Sequence, residues 1–211
     1  MTSMIAIIDY GMGNIHSVNK ALQLFGASTI VTNKPKEILA CEKAVLPGVG
    51  AFDDAMLELK EKGLIKALDE FIKNKKPFLG ICLGMQLLFE ESQEAKHAKG
   101  LGLLKGSVAR FKAVAGQKVP HMGWNQLKLG ARSSELGAEC PLLRGIPEGA
   151  YVYFCHSYYP EPKDKNVIAA TTDYGVSFAS MVWKDNIFGA QFHPEKSQSI
   201  GLKILENFVK I

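Results

Sequence analysis

Short aliphatic runs alternate with longer segments of helical periodicity through the first half of the chain. The runs lie at Met4–Ile8, Ser28–Thr32, Lys43–Leu46 and Pro77–Ile81. The segments between them repeat apolar residues at helical spacing, which predicts amphipathic helices. These helices are expected at Asn14–Phe25, at Ala51–Asn74 with a break near Gly63, and at Leu83–Ala95. Strands that are apolar on both faces and separated by helices indicate a parallel sheet with helices on either side.

After Gly100 the pattern changes to closely spaced runs rich in β-branched and aromatic residues, which favour strands. The predicted strands are Ser107–Lys112, Gln126–Leu129, Tyr151–Tyr158, Val167–Asp173, Phe178–Trp183 and Ile187–Gln191, followed by a helix at Ser197–Val209. No repeat or Pro/Gly-rich linker divides the sequence. We therefore predict one α/β domain over residues 1–211. Its central sheet is expected to be mostly parallel and flanked by helices, with added antiparallel strands in the second half.

The composition is that of an ordinary globular protein, with 47% hydrophobic and 22% charged residues. The net charge is +4, and the densest basic cluster, Lys73–Lys76, favours a solvated helix end over a nucleic-acid surface. No apolar stretch approaches the roughly 18 residues of a membrane span, and Met1–Asp9 lacks the features of a signal peptide. We expect a cytoplasmic protein that binds neither nucleic acid nor membranes.

The sequence offers no convincing cofactor or metal motif. Its cysteines are Cys41, Cys82, Cys140 and Cys155. They are far apart and form no CxxC pair, so neither a metal site nor a disulfide is predicted, and all except Cys82 are expected to be small buried hydrophobic residues. Gly11 and Gly13 follow the first strand, but His16 stands where a dinucleotide-binding fingerprint needs its third glycine. We predict no cofactor.

Cys82 stands between two glycines, in GICLG, where a strand pattern gives way to a helix pattern. A nucleophile at such a turn projects from the carboxyl edge of a sheet, and small residues two positions away on either side allow the turn. Gly80 and Gly84 occupy these positions. The N-terminus of the following helix would favour the thiolate. The alternative is a buried Cys82 with glycines needed only for close packing of helix on strand.

The segment QFHPEKS, residues 191–197, offers a base and an orienting group for such a nucleophile. Pro194 biases His193 towards an extended conformation, in which His193 and Glu195 project to the same side. Glu195 can then hold one imidazole nitrogen while the other faces Cys82. A histidine on a strand is more often a hydrogen-bonded structural residue, so that role stays open for His193.

An oxyanion hole would complete the site. The residue after a nucleophile at such a turn, here Leu83, normally contributes one backbone N–H, and a neighbouring strand-to-helix loop contributes a second. The segment LPGVGAF, Leu46–Phe52, follows the third predicted strand and contains glycines that let the backbone approach a ligand. We predict Val49 and Gly50 as the second side of the hole, with a simple turn as the alternative.

The motifs GICLGMQ and FHPE, in this order, resemble those of the class I glutamine amidotransferases. The resemblance spans nearly the whole chain and implies the fold of that family. It implies that Cys82, His193 and Glu195 form a triad that hydrolyses the side-chain amide of glutamine. The products would be glutamate and ammonia, and the intermediate a γ-glutamyl thioester on Cys82.

The family also implies residues that contact the substrate. Gln86, one turn beyond the nucleophile, would bind glutamine, as would the backbone around His156, Ser157 and Tyr158. The segment at residues 49–50 would have to rearrange before catalysis, because the family's oxyanion loop is misoriented at rest.

Four segments, DYGMGNIHS, LPGVGAF, HMGWN and YFCHSYY, together resemble the glutaminase subunits of imidazole glycerol phosphate synthase, which act in histidine biosynthesis. This resemblance implies a heterodimer with a cyclase subunit of (β/α)8 barrel fold. The cyclase would use the ammonia to make imidazole glycerol phosphate and an aminoimidazole carboxamide ribonucleotide (AICAR), and its ligand would activate the glutaminase. The residues implied to face the cyclase are Asn14, Trp124, Tyr153 and Lys196.

The chemistry of ammonia gives a separate reason to expect a partner. Ammonia released into water becomes ammonium, which is not a nucleophile, so a glutaminase that serves synthesis must deliver its product along a protected route. Two alternatives stay open. One is a glutaminase subunit of another synthase, for example for anthranilate, aminodeoxychorismate or pyridoxal phosphate, and the other is a catalytically silent binding module on the same fold.

Overall fold

A mostly parallel sheet organises the described residues, which are 4–112, 117–130 and 139–211 in this computed structural model. Its strands, in spatial order, are Ser28–Thr32 (β2), Met4–Ile8 (β1), Lys43–Gly48 (β3), Phe78–Cys82 (β4), Ile187–Ala190 (β13), Val176–Lys184 (β12), Ile168–Tyr174 (β11) and Lys128–Leu129 (β8). From β2 to β13 all neighbours are parallel, whereas β12, β11 and β8 are added in antiparallel fashion. The predicted α/β sheet with antiparallel additions is confirmed.

Helices cover both faces of this sheet. They are Ile15–Gln23 (α1), Pro35–Ala40 (α2), Phe52–Glu61 (α3), Leu64–Lys73 (α4), Leu83–Gln86 (α5) and Gln198–Lys210 (α6). Alternate residues of β1 pack into two different hydrophobic cores. Ile5 and Ile7 pack with α1 and α6, whereas Ala6 and Ile8 pack with α2, α3 and α4. Each fully buried isoleucine stabilises the fold by about 2 kcal/mol, so burial on both faces holds the central strands firmly.

The helix predicted at Leu83–Ala95 is wrong beyond its first turn. α5 ends at Gln86, and a short strand, Glu91–Ser92 (β5), follows. The backbone N–H of Leu101 donates to the carbonyl oxygen of Leu87 at 2.8 Å, so a distant segment satisfies a group that a longer helix would have used. Tertiary pairing therefore outweighs the local pattern here. α2 was not predicted, whereas the predicted break between α3 and α4 is correct.

Two smaller sheets lie beside the main one. The first contains Tyr158–Pro162 (β10), Gly106–Arg110 (β6) and β5. The second, which we call the β7–β9 ribbon, pairs His121–Gln126 (β7) with Tyr151–His156 (β9) in antiparallel register. The strand predicted from 151 to 158 is thus divided between two sheets at Ser157. The HMGWN segment, for which no strand was predicted, is the start of β7.

The cysteines differ in burial. The four cysteines are free, and Cys41 and Cys140 are buried as predicted. The prediction for Cys155 is wrong, because this residue is partly exposed and lines a pocket. Within the ranges that the structure describes, none of the helices has both the length and the apolar character needed to cross a bilayer.

Candidate active site

Cys82 lies at a strained turn between β4 and α5. Its φ and ψ are +55° and −111°. Such a conformation costs about 1–3 kcal/mol and persists only where the surroundings impose it. A Cβ atom at Gly84 would lie 1.9 Å from the backbone oxygen of Leu46, and one at Gly80 would lie 2.5 Å from the backbone oxygen of Gly84. Close packing therefore requires both glycines, and the same packing fixes the thiol at the carboxyl edge of the sheet.

His193 and Glu195 follow β13, which is the neighbour of β4 in the sheet. Nδ1 of His193 is 2.9 Å from Oε1 of Glu195, and both side chains are buried. His193 is extended as predicted, with φ and ψ of −99° and 96°, but a 3-10 turn at Pro194–Lys196 replaces the extended segment expected after it, since proline fits the first position of a helical turn. Asn14, which immediately precedes α1, donates from Nδ2 to the same Oε1 at 3.3 Å, and its side chain makes no capping hydrogen bond to the described backbone of α1. The structure brings the thiol, the imidazole and the carboxylate together.

The electrostatics of this group favour a charged imidazole. Burial lowers the pKa of His193, but hydrogen bonds to Cys82 and Glu195 and the negative charges of these groups raise it by more, to about 10. Burial, and then the charge of Cys82, raise the pKa of the nearby Tyr10 hydroxyl, which stays neutral. The helix N-terminus contributes less than predicted, because α5 has only 4 residues. An imidazolium next to the thiol is therefore the main positive charge at this turn.

A pocket of about 340 Å³ is lined by Cys82 and His193. All predicted oxyanion and substrate-binding residues line it as well: Val49, Gly50, Leu83, Gln86, His156, Ser157 and Tyr158. The volume lies at the lower end of the range for small-molecule sites, which suits a ligand of amino-acid size.

The two predicted sides of the oxyanion hole differ in burial. Leu83 is 3% exposed, whereas Val49 is 42% exposed. Gly48 pairs with Cys82 in the parallel register of β3 and β4, so Val49 is the first residue beyond the sheet. Gly50 has a φ of +100°, and a Cβ there would lie 2.5 Å from Cε of Met12.

Gln86 is held by two hydrogen bonds that use both protons of its side-chain nitrogen. Nε2 donates to the backbone oxygen of Tyr158 at 2.9 Å and to Oε1 of Gln191 at 3.0 Å. Oε1 is therefore the atom that Gln86 can offer to a ligand. Nε2 of Gln191 in turn lies 3.8 Å from Sγ of Cys82.

The residues implied to face a partner surround the same edge of the molecule. Trp124 and Tyr153 are opposite each other on the β7–β9 ribbon, with ring centroids 6.0 Å apart. The backbone oxygen of Tyr153 accepts the N–H of His193 at 3.0 Å. Lys196 is exposed and lines the pocket, and Asn14 donates to the triad carboxylate as described. These four residues are therefore close to the triad.

Sequence reasoning missed two residues of the site. Glu94 lines the pocket, its Oε2 accepts the backbone N–H of Phe52 at 3.0 Å, and burial raises its pKa. No signal distinguished Glu94 from the other acids of EESQE. Gln191 stands two positions before His193, a spacing that puts both side chains on one face of an extended segment. That spacing was a usable signal.

Known proteins are similar to this chain in sequence and in fold. The sequence model of the family described as glutamine amidotransferase class-I matches residues 6–211. The chain is 53% identical over 207 residues to the imidazole glycerol phosphate synthase subunit HisH of Desulfitobacterium hafniense, covering 98% of this chain and 94% of that protein. It is 50% identical over 208 residues to HisH of Methanocaldococcus jannaschii, covering 99% of this chain and 100% of that protein.

Among solved structures, PurLQS from Thermotoga maritima superimposes with a TM-score of 0.75 at 19% identity, covering 100% of this chain and 99% of that chain. At this identity the likeness concerns the fold alone. The family match and the two relatives lead further: the chain belongs to the class I glutamine amidotransferase family and, within it, to the imidazole glycerol phosphate synthase subunits HisH.

Proposed function

We propose that this protein hydrolyses glutamine to glutamate and ammonia as the glutaminase subunit of an imidazole glycerol phosphate synthase. The observation that carries the proposal is the buried bond between His193 and Glu195 beside Cys82, on the wall of a pocket. A thiol, an imidazole and a carboxylate in this order are the parts of a nucleophilic triad. Membership of the HisH subunits supports the choice of substrate and pathway.

The first half of the reaction forms the thioester. The thiolate of Cys82 attacks the side-chain carbonyl carbon of glutamine, and the developing oxyanion is stabilised by the backbone N–H of Leu83 and of the segment at Val49 and Gly50. The carbon–nitrogen bond then breaks. His193 donates its proton to the departing nitrogen, so that ammonia leaves and a γ-glutamyl thioester stays on the sulfur.

The second half releases glutamate. The neutral His193 takes a proton from water, and the hydroxide attacks the thioester carbon. The carbon–sulfur bond breaks, the sulfur leaves as a thiolate, and the pair of imidazolium and thiolate is restored. Glu195 keeps the imidazole oriented through the bond to Nδ1, so that Nε2 faces the sulfur and the leaving group.

Substrate recognition follows from the polar groups of the pocket wall. Gln86 offers Oε1 to an N–H group of glutamine, because its own protons are used by Tyr158 and Gln191. Glu94 is the carboxylate that we assign to the α-ammonium group of the substrate. A bound ammonium would offset the burial that raises the pKa of this carboxyl.

The partner in this proposal is a cyclase subunit with a (β/α)8 barrel fold. One face of the β7–β9 ribbon exposes Met122, Trp124 and Tyr151, at 62%, 45% and 55%, which is a large apolar exposure next to a polar site. This face, with Asn14, Tyr153 and Lys196, is our proposed contact surface. We place the heterodimer in the cytoplasm and treat residues 1–211 as one amidotransferase domain.

The test is glutamate release from glutamine by the full chain, alone and mixed with a cyclase subunit and its nucleotide ligand. We expect low activity alone, a large increase in the mixture, and at least a roughly thousandfold loss in Cys82→Ala. Cys155→Ala is the matched control, since it removes another thiol that lines the pocket and should stay within about threefold of wild type.

Two results would count against the proposal. Activity that survives Cys82→Ala overturns the mechanism. High activity of the chain alone, unchanged by the cyclase, keeps the glutaminase but removes the partner-dependent subunit.

A further inference from the structure

Two buried histidines lie in contact at the pocket, which His156 lines, and the proposed mechanism does not use their side chains. Nδ1 of His121 is 3.0 Å from Nε2 of His156, and the two residues are paired across the β7–β9 ribbon. Both are nearly inaccessible to solvent, at 3% and 6% exposure. Burial lowers the pKa of His121 to about 4 and that of His156 to about 3, where it outweighs the hydrogen bond to Tyr158, which raises the pKa. Both rings are therefore neutral at neutral pH, so each has one donor and one acceptor nitrogen.

The neighbours of this pair fix which nitrogen is the donor in each ring. Nδ1 of His156 is 2.7 Å from the backbone oxygen of Tyr158, which can only accept, so this Nδ1 carries the proton. Nε2 of His156 must then accept, and Nδ1 of His121 must donate to it. At the other end, the side-chain oxygen of Asn125 accepts the backbone N–H of Gln126 at 2.8 Å. The Asn125 nitrogen therefore faces Nε2 of His121, at 3.3 Å, and donates to it.

These bonds form one chain with a single direction. It runs from Asn125 through His121 and His156 to the backbone oxygen of Tyr158, and every donor meets an acceptor. The same Tyr158 oxygen accepts a proton of Gln86 at 2.9 Å. This chain of hydrogen bonds therefore ends on the Tyr158 oxygen. That oxygen orients the side chain of Gln86, to which we assign glutamine binding.

We propose that His121 and His156 are positioning residues, which hold the Tyr158 carbonyl and through it Gln86 in the conformation that binds glutamine. The inference rests on the proposed function, because it assigns the pocket to glutamine. His121 is the critical member. Without its Nδ1 proton, Nε2 of His156 loses its donor, so the ring is held at one end only and its bond to the Tyr158 oxygen weakens. Two neutral hydrogen bonds in a buried network strengthen each other, so removing one weakens the other hydrogen bonds of the series.

Two substitutions at His121 separate this role from simple packing. The ring stacks on Tyr174 with centroids 3.9 Å apart and on Phe154 at 4.7 Å. His121→Phe keeps a ring for these contacts and removes the donor. His121→Asn removes the ring, but its amide nitrogen can occupy the place of Nδ1 and donate to His156. Exposed His97→Phe is the matched control.

The measurement is KM and kcat for glutamine, made on the full chain in complex with the cyclase subunit and its nucleotide ligand. We expect KM to rise about tenfold in His121→Phe, the effect of one lost hydrogen bond of ordinary strength, with a smaller change in kcat. We expect His121→Asn and His97→Phe to stay within about threefold of the wild-type KM. A packing role predicts the reverse order for Phe and Asn at position 121. The proposal is overturned if KM in His121→Phe exceeds that in His121→Asn by less than about threefold.

Nitrogen-15 NMR of the histidine rings adds a readout that does not depend on catalysis. We expect His156 to be protonated at Nδ1 and unprotonated at Nε2 in the wild-type protein, and its Nε2 resonance to move in His121→Phe to that of an imidazole nitrogen that accepts no hydrogen bond. Protonation at Nε2 in the wild type overturns the positioning role even if glutamine is hydrolysed. If instead the wild-type complex releases no glutamate while the tautomer is as expected, it is the proposed function that fails.

Discussion

The two backbone segments that we assign to the oxyanion hole are held in opposite ways. On the side of Cys82, Leu83 is 3% exposed, and the backbone of Gly84 packs directly against that of Leu46. On the other side, Val49 is 42% exposed, and Gly50 has a left-handed φ of +100°. The first segment is clamped between two parallel strands and a helix turn, whereas the second extends past the end of β3.

This difference separates the reacting atom from the part of the site that can be regulated. A nucleophile that moved would lose its alignment with His193, so the turn from β4 to α5 at Cys82, which we call the elbow, is rigid. A segment with few buried contacts changes conformation at low free-energy cost, and such segments are where ligands and partners shift a population. The structure therefore favours Val49 and Gly50 as the elements that a partner would rearrange.

The largest effect on stability should come from adding one methyl group at Gly84, on the Cys82 side of the proposed oxyanion hole. Gly84→Ala places a Cβ 1.9 Å from the Leu46 oxygen, where only main-chain movement can relieve the clash. We expect the free energy of unfolding to fall by about 3 kcal/mol or more, measured by urea titration. Gly26→Ala is the control, since it has a φ of +75° but open space, and should lose only about 1–2 kcal/mol. Equal losses would mean that the elbow is not held by this contact.

The electrostatic contribution of the rigid side should appear in the pH dependence of stability. The pKa of His193 is raised from 6.5 to about 10, with Cys82 and Glu195 as its charged neighbours. A raised histidine pKa stabilises the folded state fully below about pH 6.5 and loses this effect as the pH rises through about 10. The difference in unfolding free energy between wild type and His193→Gln should therefore shrink from about pH 6 to about pH 10. A difference that grows over this range would contradict the charged imidazole.

A matched pair of truncations compares the two sides directly. Both variants keep the backbone N–H groups that we assign to the oxyanion. Leu83→Ala should lower the free energy of unfolding by about 2–3 kcal/mol, because it empties a buried site. Val49→Ala should change it by less than about 0.5 kcal/mol, because the side chain is largely exposed. Thermal unfolding of the two variants measures this contrast, which disappears if the Val49 segment is packed as firmly as the elbow.

Gly50→Ala should affect activity more than stability. The new Cβ meets only the flexible end of Met12, so the main cost is backbone strain of about 1–2 kcal/mol. We expect glutamate release by the complex to fall roughly tenfold, with KM for glutamine nearly unchanged, because the oxyanion forms only after binding. Steady-state kinetics provides both constants. A raised KM with unchanged kcat would show that this segment binds the substrate instead.

The sequence predicted the parallel part of the fold well, because that part is determined by local signals. Strands buried on both faces are continuous aliphatic runs, such as β1 and β4, and Gly63 marked the break between two helices. The prediction failed where a long-range contact replaced a local one. The carbonyl of Leu87 accepts the N–H of Leu101 instead of continuing a helix, and no periodicity in the Leu83–Ala95 segment indicates that pairing.

The predicted site residues divide in the same way. His193 and Glu195 stand two positions apart, so their contact could be inferred from the chain itself. The contact between His121 and His156 depends on the register of two strands that lie far apart in sequence, and only the folded ribbon places them together. Glu94 reaches the pocket from a loop that the sequence had assigned to a helix. The position of Glu94 and the contact between the two histidines therefore depend on tertiary pairing, whereas Gln191 could have been found from its spacing to His193.

The alternation of side chains along the β7–β9 ribbon has a consequence for how this gene can change. Met122 and Trp124 point to one face, and His121 and Asn125 contribute to the hydrogen-bond chain behind the other. Because side chains alternate at every position, inserting or deleting one residue in β7 would exchange the two faces of this strand and place His121 in solvent and apolar side chains against the pocket. Homologous genes should therefore accept substitutions in this segment far more readily than changes in its length.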